Sequence, residues 1–400
     1  MCSGLGATSD DSHGTPAGTA EAVAAVVDPR LFHPLGLLGL VREVRVRHRV
    51  TEVEIAIPSG HHGTGELVEA VRRAVADSGA PPAEVGLVEL SEAEESELGA
   101  RLRSLGAGAG SMGRDVGPGQ APGGRHGAEG PAQRPNPFSD KSSPTRVLAI
   151  GSGKGGVGKS SVTVNLAVAL AQQGHSVAVL DADVYGFSVP AMLGMSEAPG
   201  VLGEMLLPPV AHGVRCISMG FFVPEDQAVI WRGPMLHKAL EQFLVDVHWG
   251  APELLLIDLP PGTGDVSLSI AQFVPRAELF VVTTPQAAAE RVAQRAAVLA
   301  RQLRLPLRGV IENMSWFTAD DGTRYELFGT GGGSQLAEHL GIALLGQVPL
   351  VPALRSGGDE GRPIVVSDPE GEVAQVFAEL ARRVVAMPPV RVYRSELAVR

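Results

Sequence analysis

Gly153-Lys154-Gly155-Gly156-Val157-Gly158-Lys159-Ser160 is the stretch from which the fold is read. It follows Val147-Leu148-Ala149-Ile150, an apolar run with the length of a buried strand, and it opens a helical pattern over residues 160–173. Strand, glycine-rich loop and helix form the context that a phosphate-binding loop requires. The glycines let backbone N–H groups converge on phosphate oxygens with no side chain in the way. The helix N-terminus adds partial positive charge. Lys159 is placed to bridge the terminal phosphates of a nucleotide, and the Ser160 hydroxyl to ligate Mg²⁺.

Outward from this loop, the pattern after Arg146 is βαβ. Apolar runs at 147–150, 177–181, 214–218, 254–258, 279–283, 310–312 and 344–348 alternate with helical segments, including 234–247 and 287–303. Continuous apolar strands between helices predict a mostly parallel sheet covered on both faces, an α/β P-loop NTPase. Ligands on such sheets bind at the carboxyl ends of the strands. Three acidic positions fall there. Asp181 and Asp183 close the second strand. Asp258 ends Leu254-Leu255-Leu256-Ile257-Asp258, a Walker B pattern that holds Mg²⁺ through water. The strand continues into Leu259-Pro260-Pro261-Gly262-Thr263-Gly264-Asp265, where the Gly262 amide can reach a γ-phosphate and make the loop a switch.

The chain has 400 residues, a length that suits two domains. Residues 1–17, rich in Gly, Ser, Asp and Thr, read as a disordered tail. Residues 18–103 read as a small α+β domain: a helix over 19–27 broken at Asp28-Pro29, two alternating strands at 41–47 and 53–57, a helix over 66–76, and a third strand at 85–88. Arginines between the valines of the first strand mark a solvated sheet face. Residues 104–143, dominated by Gly, Pro, Ala and Ser, read as a flexible linker that leaves the small domain mobile. The ATPase domain spans 144–390, and a tail of 391–400 follows.

Formal charge is −11, from 33 basic and 44 acidic residues, which argues against nucleic-acid binding by bulk electrostatics. Two cysteines, Cys2 and Cys216, cannot build a disulfide framework and fit a reducing, cytoplasmic setting. No apolar run reaches membrane-spanning length, and the N-terminus has no secretory pattern.

With Lys154 after the first glycine, the loop from Gly153 to Ser161 resembles the deviant Walker A class of ATPases. That resemblance implies that Lys154 acts in trans on the partner's ATP and that the working unit is a homodimer. The blocks Asp181–Pro190, Trp231-Arg232-Gly233-Pro234-Met235, Asp258–Asp265, Glu312-Asn313-Met314-Ser315 and Phe328-Gly329-Thr330-Gly331-Gly332-Gly333 are similar to the Mrp/ApbC-type iron–sulfur cluster carrier ATPases. By that resemblance Asp183 lies in switch I and positions the attacking water. Asp181 becomes an outer-shell Mg²⁺ group, Asn313 reads the adenine, and apoprotein clients receive a [4Fe–4S] cluster. The small domain resembles, through Asp28-Pro29, its strands and Pro58-Ser59-Gly60, the domain found in iron–sulfur assembly factors.

One departure matters. The family places a Cys-x-x-Cys between the Glu312–Ser315 and Phe328–Gly333 blocks. Here Trp316-Phe317-Thr318-Ala319-Asp320-Asp321-Gly322-Thr323-Arg324-Tyr325-Glu326-Leu327 contains no cysteine. Carboxylates and hydroxyls are hard ligands, and iron–sulfur clusters want thiolates. No cluster ligand is therefore assigned: Cys216 reads as a buried small apolar residue, and His61-His62 as an exposed loop pair. Two other readings stay open: a nucleotide-switched regulatory ATPase without a cluster, and a MinD/ParA-type positioning ATPase. The second is disfavoured by the acidic charge and by a C-terminal tail that is not convincingly amphipathic.

Overall fold

A computed structural model describes residues 18–47, 49–61, 63–108, 136–140, 143–184, 186–222, 233–262, 264–286 and 289–390. The expected tails 1–17 and 391–400 and most of the expected linker lie outside these, as do His62, Trp231, Arg232 and Thr263. Two units are resolved by their internal packing: residues up to 106 together with Gly200–Leu207, and the rest.

In the first unit the alternating stretches form strands as their period demands. Its elements are α1 (Thr19–Ala25), α2 (Leu35–Leu38), β1 (Val41–Arg47), β2 (Val50–Ile57), α3 (Thr64–Asp77), β3 (Ala83–Glu89) and α4 (Glu92–Gly108). β1 pairs antiparallel with β2, and β3 joins β2 in parallel after the α3 crossover. Val53 and Ile55 of β2 and Leu67, Val71 and Val75 of α3 meet in the core. The last three repeat every four residues, which places them on one helix face. Arg42, Arg45 and Arg47 are exposed, as expected.

Three expectations for this unit are corrected. The helix α4 runs to Gly108, into the segment read as linker. His61 is not an exposed loop residue: its side chain is fully buried, with Nε2 3.1 Å from both Asp28 carboxylate oxygens. Asp28 also accepts the Arg30 and Leu31 amides, so it staples the turn after α1 to the turn before α3. Finally, the unit is discontinuous in sequence. The hairpin Gly200–Leu207 buries Leu202, Met205 and Leu207 in the same core as Leu98 and Leu102 of α4.

The second unit is the wound sheet. Its elements begin β4 (Arg146–Ser152), α5 (Lys159–Gln172), β5 (Val177–Asp181) and α6 (Val189–Met192). The hairpin strands β6 (Gly200–Leu202) and β7 (Met205–Leu207) come next in sequence, then β8 (Val210–Ala211), β9 (Val214–Ser218), α7 (Gly233–Asp246), β10 (Leu254–Asp258), α8 (Asp265–Phe273), β11 (Glu278–Thr283) and α9 (Ala289–Leu303). The unit ends with β12 (Leu307–Asn313), β13 (Phe317–Thr318), β14 (Arg324–Tyr325), α10 (Gly332–Leu340), β15 (Ala343–Val348), α11 (Pro352–Asp359), α12 (Ile364–Ser367) and α13 (Glu372–Ala386).

The sheet order is β15-β12-β11-β4-β10-β5-β9-β8, parallel except for the β8–β9 edge pair. β4, β5 and β10 are almost wholly buried because helices cover both faces. Residues 136–140, read as linker, belong to this unit: Phe138 is buried edge-on against the Trp249 ring, 5.9 Å between centroids. A single aromatic in a Gly/Pro-rich stretch is enough to anchor it. At the amino ends of the strands, Glu278 pairs with Arg146 and Arg308 and closes the sheet's lower edge. The opposite edge carries the loops in question.

Candidate nucleotide site

β4 delivers the chain into the loop at residues 153–158, and α5 leaves it. Gly156 and Gly158 hold φ of 74° and 76°, the left-handed region where a side chain is strained. Together with Gly155, Val157, Lys159, Ser160 and Ser161 they line a cavity of about 210 Å³, whose far wall includes Asp183 and Pro261. The sequence thus placed the loop correctly, at the carboxyl edge of the sheet.

Beneath the loop lies a buried polar cluster centred on Asp258, whose side chain is fully shielded. Ser160 Oγ donates to its Oδ2 at 2.6 Å, and Thr163 Oγ1 donates to its Oδ1 at 2.8 Å. Lys159 Nζ lies 2.7 Å from Oδ2, an ion pair without hydrogen-bond alignment, and 3.9 Å from Asp183 Oδ2. Thr163, one helical turn beyond Lys159, is a member of this cluster that motif reading passed over; its i+4 spacing from Lys159 on an apolar helix was the available signal. The Ser160 hydroxyl beside the Asp258 carboxylate is a hard oxygen set that suits Mg²⁺.

Asp181 stands apart. It does not line the cavity. Its carboxylate accepts the Asp183 amide at 3.2 Å, the Val189 amide at 3.4 Å and Ser218 Oγ at 3.0 Å. It thus holds both ends of the loop at residues 183–188. Burial, with the Asp258 carboxylate nearby, pushes Asp181 up to about 7. Gly262 adopts φ 84°, a conformation that its turn after Pro261 requires.

Asn313 is buried at the end of β12. Its Nδ2 donates to the Val157 carbonyl at 2.9 Å, and its Oδ1 has no protein partner. A Cβ on Gly158 would come 2.3 Å from that Nδ2, so the loop glycine is required by the asparagine as well as by φ. Next to it, Glu312 is buried and accepts Ser315 Oγ, Gln347 Nε2 and the Gly333 amide. A Cβ at Gly333 would sit 2.7 Å from the Glu312 carboxylate, and one at Gly332 2.6 Å from the Pro285 carbonyl oxygen. That accounts physically for the two glycines that open α10, which the sequence offered only as a resemblance.

Lys154 is partly buried and its Nζ donates to Gln286 Oε1 at 2.5 Å; desolvation draws it below the ordinary lysine range.

The segment that would carry cluster ligands forms the β13–β14 hairpin, with the Arg324 guanidinium 4.2 Å from the Trp316 ring centroid. Among the described residues no group of three His, Cys, Asp or Glu side chains could hold a metal. Cys216 is fully buried in β9, and burial pushes its thiol well above the usual range. These residues do not fit an iron–sulfur cluster. Among the described residues no helix is long and apolar enough to cross a membrane.

A family model described as ParA: NUBPL iron-transfer P-loop NTPase matches residues 143–385. The chain is 44% identical over 370 residues to the iron–sulfur cluster carrier protein of Mycobacterium bovis, covering 90% of each. It is 36% identical over 372 residues to that of Bacillus subtilis, covering 92% of this chain and 97% of that one. Among solved structures, a nucleotide-binding protein from Archaeoglobus fulgidus in complex with ADP aligns with a TM-score of 0.51 at 35% identity, over 58% of this chain and 91% of that one.

Proposed function

Since the chain belongs to the NUBPL iron-transfer P-loop NTPase family, we propose that it hydrolyses ATP as a nucleotide-sandwich homodimer in the service of iron–sulfur cluster delivery to apoproteins. The observation that carries the hydrolytic part is the convergence of Lys159, Ser160 and Thr163 on Asp258, with Asp183 3.9 Å from Lys159 Nζ, beneath the glycine loop that lines the cavity.

The roles follow from position. Amides of residues 153–161 receive the phosphates. When bound, Mg²⁺ supplies charge neutralisation at the phosphoryl oxygens, with Ser160 as a direct ligand and Asp258 holding it through water. Asp183, on the cavity wall, aligns the attacking water. Lys159 leaves Asp258 for the terminal phosphates, and Lys154 crosses to the partner's nucleotide. Both cations stabilise charge on the transferring group, the main source of rate in such sites. Asn313, with an unpartnered Oδ1, contacts the adenine, and the Gly262 loop senses the γ-phosphate. Asp181 supports the metal site from behind by holding the loop at 183–188 in place.

The delivery part rests on the names of the relatives. A second reading, a nucleotide-switched regulator that carries no cluster, is favoured by one observation: the described residues offer no thiolate set. Anaerobic reconstitution of the full chain with iron and sulfide separates the two. Delivery by direct carriage requires iron and sulfide to remain with the protein through gel filtration, with visible absorbance. A colourless, iron-free protein that still turns over ATP contradicts carriage and leaves the regulator.

A further inference from the structure

The Lys154 side chain is engaged in a way that its proposed in-trans role does not explain. Its Nζ is held by a neutral amide oxygen, that of Gln286. Gln286 is the first exposed residue after Thr283, Thr284 and Pro285, all buried at the carboxyl end of β11. That peptide is clamped: the Gly332 backbone packs so closely that a Cβ there would lie 2.6 Å from the Pro285 oxygen and 3.1 Å from the Gln286 oxygen. Gly332 in turn is fixed through the Gly333 amide, which donates to buried Glu312 at 2.5 Å. A packed platform therefore presents one side-chain oxygen to one lysine.

We propose that Gln286 is a positioning residue that parks Lys154 on its own protomer and releases it when two ATP-loaded protomers meet. This rests on the in-trans reading of Lys154. The choice of a neutral partner is what makes parking reversible. A hydrogen bond from a cation to an amide lacks the Coulombic attraction that a carboxylate adds. It holds the lysine in the free protomer yet yields to a triphosphate, which offers several anionic oxygens. Lys154 has the Gln286 oxygen as its hydrogen-bond partner, so Gln286 is the group that sets its resting position.

The test uses the full chain with Mg²⁺ and ATP, reading phosphate release and self-association by light scattering against protein concentration. Gln286→Ala frees the lysine and should lower the concentration for half-maximal turnover by about threefold to tenfold, the range of one ordinary net hydrogen bond. Gln286→Glu holds it more tightly and should raise that concentration by a similar factor. On a Lys154→Ala background, where turnover is lost, both substitutions should leave the self-association read by light scattering unchanged, since the coupling belongs to the pair. A merely structural role for Gln286 would move both variants in one direction and persist without the lysine; either result overturns the proposal, as does no shift in either variant. Full turnover by Lys154→Ala alone would bring down the in-trans reading itself, a separate failure.

Discussion

Asp181 makes the nucleotide-free protein sensitive to pH in an unusual direction. Most carboxylates in folded proteins are stabilised in their charged form; this one is buried near a second carboxylate and is moved from 3.8 to about 7. At about 1.4 kcal/mol per factor of ten in proton affinity, the shift corresponds to a ceiling of about 4 kcal/mol. Below pH 3.8 the group is protonated in both folded and unfolded chains and contributes nothing to the pH dependence. Between 3.8 and about 7 the folded state keeps a proton that the unfolded state gives up, so stability falls as pH rises. Above 7 the full penalty stands. Asp181→Asn removes the charge and keeps the shape. Relative to that variant, the wild type should lose up to about 4 kcal/mol between pH 4 and pH 8. Urea unfolding followed by tryptophan fluorescence measures this in the right unit, because Trp249 and Trp316 belong to the P-loop unit. A difference between the two proteins that stays constant over that range would refute the reasoning.

Leu202→Ala empties a fully buried position in the first unit and should cost about 2–5 kcal/mol there. Hydrogen exchange should speed up in α4 while the tryptophan-monitored transition stays put. Gly333→Ala drives a methyl into the Glu312 carboxylate and should destabilise the P-loop unit by about 1–3 kcal/mol, read as a lower midpoint in the same urea titration. Cys216, with its thiol raised by burial, should resist iodoacetamide at pH 8 in the folded protein and react only as the chain unfolds; prompt alkylation would place it at the surface.

The parallel sheet was legible because each strand is a continuous apolar run and the candidate-site carboxylates lie at or just beyond the ends of two of them. Expected strands at 147–150, 177–181 and 254–258 all lie within or match β4, β5 and β10. The P-loop was legible because its spacing is set by the phosphates rather than by the rest of the fold. What could not be read was long-range partnership. Leu202, Met205 and Leu207 look like any short apolar loop, since their burial depends on α4, about a hundred residues earlier in the sequence. α4 itself escaped notice because its sequence is crowded with charged residues and, among the described residues, its buried apolar side chains are just Leu98 and Leu102. His61 was misjudged for the same reason: nothing local to the turn indicates that Asp28 will meet it. The Glu312–Gly333 contact, 21 residues apart, shows the reverse case, where a glycine run acquires its reason only once the facing side chain is seen.

The central claim is that two protomers must meet to split ATP. Phosphate release per protomer, measured at saturating Mg²⁺ and ATP over a wide range of protein concentration, tests that directly. A specific rate that climbs with concentration to a plateau, and that vanishes in Lys159→Ala and Lys154→Ala alike, is the expected result. A specific rate independent of concentration, retained when Lys154 is replaced, would contradict it.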